Sequence, residues 1–305
     1  MRRSTAMMVA LMMGAGLVMI GPEAKAQESV PQLFEGLRSA GAGGSHTAVA
    51  SGTDSLYKNP AGAARGTMYV VDGAFSYTPQ GALLTAGISD SRTNPAFSGA
   101  VGYTYFLGQG ENSEQSGHDA RAAIAIPVVP ERVSVGVGVR YLRITDEGIP
   151  MVEEDDDQIL VSGFTIDAGL IVRAAEFLHL GLVAQNLIDR CPDDPACRGT
   201  MPTRIGGGFA IGEETGFLGS GQAAIDLTSS PDGPNVDFGV GLEYMAAQMV
   251  PIRVGFQRRG FLDRNLVTGG VGWRSEQAGV DFAYQHDLQR SDRFGYIAGG
   301  VSVYF

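Results

Sequence analysis

The chain has 305 residues, 22 of them basic and 33 acidic, and a formal net charge of −11. So acidic a chain lacks the basic patches that nucleic acid requires. Glycine contributes 44 residues without a collagen-like period, so it has to serve strands, bends and tight turns instead.

The first 26 residues read as a secretory signal. Arg2 and Arg3 open it, Met7 to Ile20 is apolar apart from small residues, and Ala24-Lys25-Ala26 forms a small-x-small cleavage site. The mature chain then starts at Gln27, with 19 basic and 32 acidic residues and a net charge of −13; Lys58 is its one lysine. The apolar run is too short to span a membrane as a helix, and no later stretch reaches the ~20 apolar residues that a spanning helix needs. This excludes a helical membrane protein but not one built from strands.

Residues 27–66 form a second unit, dense in small residues and turns, that cannot build a core alone. Within it, Pro60 cannot donate a backbone hydrogen bond and biases Asn59 away from helix. The run Asp54 to Gly62, with Asn59-Pro60-Ala61-Gly62 at its end, reads either as a fixed turn near a lumen or lateral opening, or as an ordinary loop-to-strand turn.

From Thr67 onward the pattern has period 2, broken by turn residues. Strands are expected near 67–77, 81–89, 96–106, 118–126, 132–144, 159–173, 177–187, 202–212, 219–228, 235–247, 251–260, 264–275, 278–287 and 293–305. The fold class this implies is all-β: a transmembrane antiparallel up-and-down barrel of about 14 strands over residues 67–305, preceded by a small hatch segment. Val133, Val135, Val137, Val139 and Tyr141 oppose Ser134, Gly136, Gly138 and Arg140. Val236, Phe238, Val240, Leu242 and Tyr244 oppose Asp237, Gly239, Gly241 and Glu243. One face is apolar, and the other is glycine with scattered charges. That suits lipid outside and a polar lumen inside. Connections alternate in length as well: 107–117, 145–158, 188–201 and 229–234 are long, while 174–176, 248–250 and 276–277 are short. Long outer loops and short periplasmic turns are the expected asymmetry. Tyr69, Tyr77, Tyr105, Tyr141, Trp273, Tyr284, Tyr304 and Phe305 sit near strand ends, where interfacial girdles lie.

Asp72, Arg140, Asp167, Arg204, Asp226, Asp237, Glu243, Arg253 and Asp281 fall on the lumen face. They would tune permeation or pair with one another across the lumen. The glycine pairs Gly136/Gly138, Gly206/Gly208, Gly239/Gly241 and Gly270/Gly272 share that face. Two roles are open for them: a bare strip for the hatch to pack on, or relief of barrel curvature.

Cys191 and Cys197 flank Pro-Asp-Asp-Pro-Ala. In an exported chain they suggest a disulfide closing a small loop, since two thiolates with no histidine nearby fall short of a zinc set. The acidic run Glu153 to Asp157 offers hard oxygen ligands but not the spacing of a calcium loop, and reads as a solvated outer loop. No motif calls for a metal or a cofactor. His118-Asp119 and His286-Asp287 are candidate protease-like pairs, yet no serine motif accompanies them, and an enzyme is not expected.

The last strand alternates Val301, Val303 and Phe305 against Gly300, Ser302 and Tyr304 and ends on an aromatic. This ending is similar to the signal by which the barrel-assembly machinery recognises its clients. The stretch Arg38 to Gly44, then Ala48 to Ala50, then Asp54 to Gly62 resembles the N-terminal part of FadL-like and PorV/PorQ-like outer-membrane barrels. Arg253-Val254-Gly255-Phe256, Gly270-Val271-Gly272-Trp273 and Asp281-Phe282-Ala283-Tyr284 resemble the same group. The resemblance implies a fourteen-stranded barrel with an N-terminal hatch, in the outer membrane of a Gram-negative bacterium. FadL-like members pass long-chain fatty acids and other hydrophobic compounds; PorV-like members serve secretion and surface attachment of other proteins. The function expected is therefore passive passage of small or hydrophobic, fatty-acid-like molecules past the hatch. A closed barrel that serves secretion or assembly of envelope proteins is the alternative, and an outer-membrane hydrolase a third. The partners expected are outer-membrane lipid, the assembly machinery through Phe305, and envelope proteins. Short acidic outer loops depart from the long apolar loops of the fatty-acid transporters.

Overall fold

The computed structural model describes residues 33–94, 96–109, 115–146, 159–188, 201–228, 234–260, 262–289 and 294–305. The signal segment, the acidic run 153–157 and the pair Cys191/Cys197 lie outside them. Fourteen strands close into one barrel: β1 (Tyr69–Thr78), β2 (Gly81–Asp90), β3 (Ser98–Gly108), β4 (Gln115–Val129), β5 (Val133–Asp146), β6 (Ile159–Ala175), β7 (Leu178–Gln185), β8 (Arg204–Gly212), β9 (Phe217–Asp226), β10 (Asn235–Ala246), β11 (Val250–Arg259), β12 (Arg264–Arg274), β13 (Ala278–Asp287) and β14 (Phe294–Tyr304). Each strand pairs antiparallel with its sequence neighbours, and β1 pairs with β14 from Val70↔Tyr304 to Tyr77↔Ile297. Register shifts among these ladders fall at Pro127/Val129, Ile144/Thr145, Arg173/Ala175 and Gln285/His286, all at strand ends. Closure leaves no strand edge, which is what a sheet in hydrocarbon requires.

The outer face carries the apolar set. On β10, Val236, Phe238, Val240, Leu242 and Tyr244 are all exposed, while Asp237 and Glu243 are buried. Val135, Val137 and Val139 repeat the pattern on β5, and Val301, Val303 and Phe305 on β14. An apolar belt this continuous has no place in water and matches a lipid-facing surface. Short connections (130–132, 176–177, 213–216, 247–249 and 275–277) gather at one end with Phe305. We call this the turn end and the opposite one the loop end. Phe177, Phe217, Tyr244, Trp273 and Phe305 ring the turn end with exposed aromatic side chains. Tyr304 is a correction to the girdle expected from sequence. It shares the inward face with Gly300 and Ser302 and lines an inner cavity, because strand parity, not proximity to a strand end, decides which way a side chain points.

Strands β4 and β5 run further toward the loop end than the periodicity indicated, to Gln115 and Asp146. There the pattern inverts. Arg143 points outward, while Leu142, Ile144 and Val161 point inward and are packed with Met201 and Leu33. The ladder continues past the lipid belt, so the lipid-facing periodicity no longer marks it.

Residues 33–66 lie inside the barrel as short turns: α-helical at Leu37–Gly41 and Ser55–Lys58, and 3-10 at His46–Ala48, Gly52–Asp54 and Pro60–Ala64. Ala40, Ala48, Val49 and Ala61 are fully buried. The segment meets the wall backbone to backbone. Glycine makes that possible: a β-carbon at Gly239 would lie 1.9 Å from the Gly43 carbonyl oxygen, at Gly241 2.3 Å from that of Ala42, and at Gly136 2.5 Å from the Ala61 nitrogen. Gly270 lies against Gly41, and Gly208 against Thr47. Of the glycine pairs singled out in sequence, these members carry the packing role. Gly206 and Gly272 instead approach Ala224 and Asp281 of the wall. Further wall glycines do the same work: Gly255 under Gly43, Gly169 under Asn59, Gly181 under Thr47 and Gly300 under Leu37. On the inner segment, Gly43 is held at φ +65°, and a β-carbon there would come within 2.3 Å of the Val240 carbonyl oxygen.

Two substitutions test this packing against a control. Gly43→Ala adds left-handed strain to a backbone clash and should cost about 2–4 kcal/mol. Gly239→Leu should push the segment off the wall and lower the temperature at which the heat-modifiable gel band is lost. Gly73→Ala, where an added β-carbon meets nothing within 4 Å, should leave that temperature unchanged.

Candidate functional site

All nine charged residues assigned to the lumen face inward, and they are joined in networks by residues that sequence reasoning did not single out. Toward the turn end an alternating chain of charges crosses the lumen. Arg65 reaches Glu214 at 2.7 Å; Glu214 holds Arg38 at 3.0 Å; Arg38 holds Glu243 at 2.7 Å. Glu243 also receives Arg253, which reaches Asp281 at 2.5 Å, and Asp281 faces Arg274 at 3.7 Å. Arg38 and Arg65 come from the inner segment, Glu214 from the β8–β9 turn and the rest from β10 to β13. The segment is therefore tied electrostatically where its backbone already touches glycine. Burial alone would raise Glu214, but Arg38 and Arg65 outweigh it and hold its carboxyl at about 2.

Toward the loop end, Arg121 and Arg140 stand directly opposite each other on β4 and β5 and share Asp119, at 2.8 and 3.0 Å. Two like charges in register repel, so Asp119 between them is a condition of the pairing. Arg140 also donates to Asn186 Oδ1, and the Asn186 amide donates to Asp167 at 2.7 Å. Arg204 pairs with Asp226 and, at 3.1 Å, with Asp237. Glu35 of the inner segment accepts from Arg259 at 2.9 Å, Lys58 at 3.3 Å and Gln285 at 2.6 Å. Burial would raise Glu35 as well; Arg259 and Lys58 bring it down to about 2.

The Asn59 motif is a wedge. The Asn59 amide donates to the carbonyls of Thr47, Leu170 and Leu182 at 3.0–3.2 Å, and its oxygen accepts from Ala61 N at 3.1 Å. Its side chain fills the space where a residue at 169 would carry a β-carbon. Pro60 opens the next 3-10 turn, and Ala61 and Gly62 follow, packed against Gly136 and the Ala50 carbonyl. Asp72 accepts from the Thr53 hydroxyl.

A cavity of about 420 Å³ lies beside Arg65, Arg132 and His179 at the turn end. Two more flank the segment. One, of about 190 Å³, lies toward the loop end among Arg121, Arg140, Arg204, Asp226 and Asp237. The other, of about 550 Å³, lies toward the turn end among Asp54, Asp72, Arg274 and Tyr304. The histidine candidates do not assemble a site. His118 and His286 are on the outer face, with His118 bonded to Tyr103 and His286 to Tyr284, while Asp119 and Asp287 are buried on the inner face. Successive strand residues point apart, which separates each His-Asp pair.

No family model matches the chain, and no curated protein matches it by sequence. Solved structures do match. The toluene transporter TodX of Pseudomonas putida superimposes with a TM-score of 0.59 at 10% identity, over 91% of this chain and 98% of that one. A Pseudomonas aeruginosa FadL homologue gives 0.55 at 12%, over 88% and 96%. The Ralstonia pickettii toluene transporter TbuX gives 0.54 at 12%, over 88% and 97%. The chain has the fold of the FadL-like outer-membrane barrels. At this identity the likeness shows the fold, and the lining chemistry is this chain's own. The inner charges missed from sequence, Glu35, Arg38, Asp119, Arg121, Glu214 and Arg259, lie in a turn, in the aperiodic segment, or on strands whose inward charges were not read. One signal was available: a hairpin centred on the β10–β11 turn sets Glu243 opposite Arg253.

Removing Glu243 would leave Arg38 and Arg253 buried without their shared partner. Glu243→Ala should cost about 3–5 kcal/mol, read by thermal unfolding, and Arg38→Met together with Glu243→Leu should cost less than Glu243→Ala alone. Burial, with the Asp72 charge beside it, raises Asp54 to about 7. Its folded pKa then exceeds the unfolded one, so the native state keeps a proton that the unfolded chain has released. Stability should fall as pH rises from about 4 to about 7. Asp54→Asn should flatten that slope in melting curves; an unchanged slope would remove Asp54 as its source.

Proposed function

We propose that the protein is an outer-membrane channel of a Gram-negative bacterium, through which small molecules pass passively beside the inner segment. The observation that carries this reading is the pair of cavities, one toward each end of the lumen, beside the inner segment. A barrel serving only as a wall has no need of them. The names of the matched structures, two toluene transporters and a FadL homologue, support transport as the class. Passage of hydrophobic compounds is the narrower reading that those names add. In this reading residues 27–66 act as the hatch, the turn end faces the periplasm, and the C-terminal strand ending in Phe305 is presented to the assembly machinery. The glycine-backed packing of the segment favours a second reading, a closed scaffold for secretion or assembly of envelope proteins.

Planar-bilayer recording on the full mature barrel distinguishes the two. Transport predicts discrete conductance steps and permeation of small solutes. Silent bilayers from a heat-modifiable, folded barrel that co-purifies stoichiometrically with envelope proteins would establish the scaffold instead.

A further inference from the structure

Among the described residues, Phe34 and Tyr57 alone border both the loop-end cavity and the larger turn-end one. Their rings meet edge to face with centroids 4.9 Å apart and both side chains buried. Around them lies an apolar collar of Leu56, Ala63, Ala100 and Ala123. The loop-end and turn-end cavities, both edged with charge, are thus separated by one aromatic partition about two rings thick. A short apolar constriction between wetted compartments stops ions and polar solutes because it sheds water.

The two rings are held differently. Tyr57 is fixed: its hydroxyl lies 3.4 Å from Thr104 Oγ1, Arg121 stands over its ring at 4.7 Å, and its carbonyl accepts from Gln185 at 3.1 Å. Phe34 is carried on residues 33–36. These are anchored by the Glu35 carboxylate and joined to the glycine-packed part of the segment at Gly36, which adopts φ +85°. The remainder, from Leu37 to Ala64, is locked by backbone contact with the wall. A turn at Gly36 that carries the Phe34 ring has to release Glu35 from Lys58, Arg259 and Gln285, while the contacts of Gly43, Asn59 and Pro60 lie outside the moving arm.

We propose that Phe34 and Tyr57 form the gate of a single route through the lumen, opened by the arm 33–36 while the rest of the segment stays in place. We further propose that the molecules conducted are small and polar, charged or zwitterionic. This rests on the transport reading and replaces hydrophobic passage with the solute class that the charged lining favours. Hydrocarbon sites are lined mostly by apolar side chains. Here Arg121, Arg140, Arg204 and Asp237 edge one cavity, and the other sets Asp54, Asp72 and Arg274 beside Leu37, Val70 and Val301. A hydrocarbon lodged in either cavity would desolvate those groups without replacing their hydrogen bonds. A polar solute keeps its partners on both sides and meets apolar surface only at the ring pair.

The test uses the full mature barrel in planar bilayers with potassium chloride, and in vesicles for swelling with glycine and arabinose. Phe34→Ala should raise conductance by about tenfold, the factor that removing about 1.4 kcal/mol from a barrier gives. Tyr57→Ala should act in the same direction, Phe34→Leu should raise it less, and Glu35→Gln should lengthen openings. The lipid-face control Phe75→Ala should match the parent. Folded Phe34→Ala and Tyr57→Ala barrels that conduct as the parent does would overturn the gate while leaving transport intact. A Phe34→Ala barrel that passes potassium chloride but excludes both glycine and arabinose would overturn the proposed solute class. Silence in the parent and in every folded variant would remove the transport reading itself.

Discussion

Backbone contact between the inner segment and the barrel wall is the constraint on which the rest of the molecule depends. A lumen ringed by fourteen strands is narrow, and a peptide segment with side chains of ordinary size does not fit inside another layer of side chains. This chain solves the problem by deleting side chains on both surfaces: Gly239, Gly241 and Gly255 on the wall face Ala42 and Gly43 on the segment. The many glycines are therefore not a sign of looseness. Their absent β-carbons are the shape of the segment, pressed into the wall. The contact also fixes the polar chemistry, since carbonyls brought this close to a strand need donors. Thr268 donates to the Gly41 carbonyl and accepts from the Gly43 N–H, Asn59 donates to the carbonyls of Leu170 and Leu182, and the Ser45 and Ser220 hydroxyls bond each other.

Charge then follows from burial. Once the segment fills the lumen, the groups on the wall lose much of their water, and an unpaired charge there is costly. The networks respond by alternation. Arg65, Glu214, Arg38, Glu243, Arg253 and Asp281 run as neighbours of opposite sign, and Asp119 reconciles two arginines that the register forces together. Such pairs add little net stability over a well-packed apolar core, but breaking one is expensive. They act as position markers: a segment displaced by one residue would lose Arg38 from Glu243 and Glu35 from Arg259 together. This accounts for a segment that is held in one place without a large hydrophobic core of its own.

How much of this was legible in the sequence follows from the range of each interaction. The period-2 alternation is a local property imposed by lipid on one side and lumen on the other, and it placed all fourteen strands and the facing of Val236 through Tyr244. It failed where that pressure stops. Past the lipid belt, Leu142 and Ile144 turn inward and β4 and β5 outrun the pattern; at the end of β14, Tyr304 was grouped by residue type although its parity pointed in. Glycine on the lumen face was visible, but its partner was not, because Gly43 is separated from Gly239 by the greater part of the chain. The same distance hides Arg38 from Glu243 and Arg259 from Glu35. Only hairpin neighbours such as Glu243 and Arg253 could have been paired from turn position.

The segment's two halves differ in what holds them, and that difference gives the molecule a place to move. From Leu37 onward, displacement would have to break backbone contacts, buried ion pairs and the Asn59 wedge at once. These losses cannot be taken one at a time, because each contact presumes the register set by the others. At residues 33–36 the chain has left the glycine strips, and its hold is a single carboxylate shared among Arg259, Lys58 and Gln285, with Leu33 in a small apolar cluster near the loop end. Closed packing and passage need not conflict when they belong to different stretches of the segment. A barrel can be rigid along most of its plug and still conduct, provided the stretch held apart from the glycine strips carries the group that separates the two cavities. Phe34 is the group that the proposed gate assigns; the Glu35 latch and the Gly36 hinge both follow it in the chain, so moving the ring means releasing the latch.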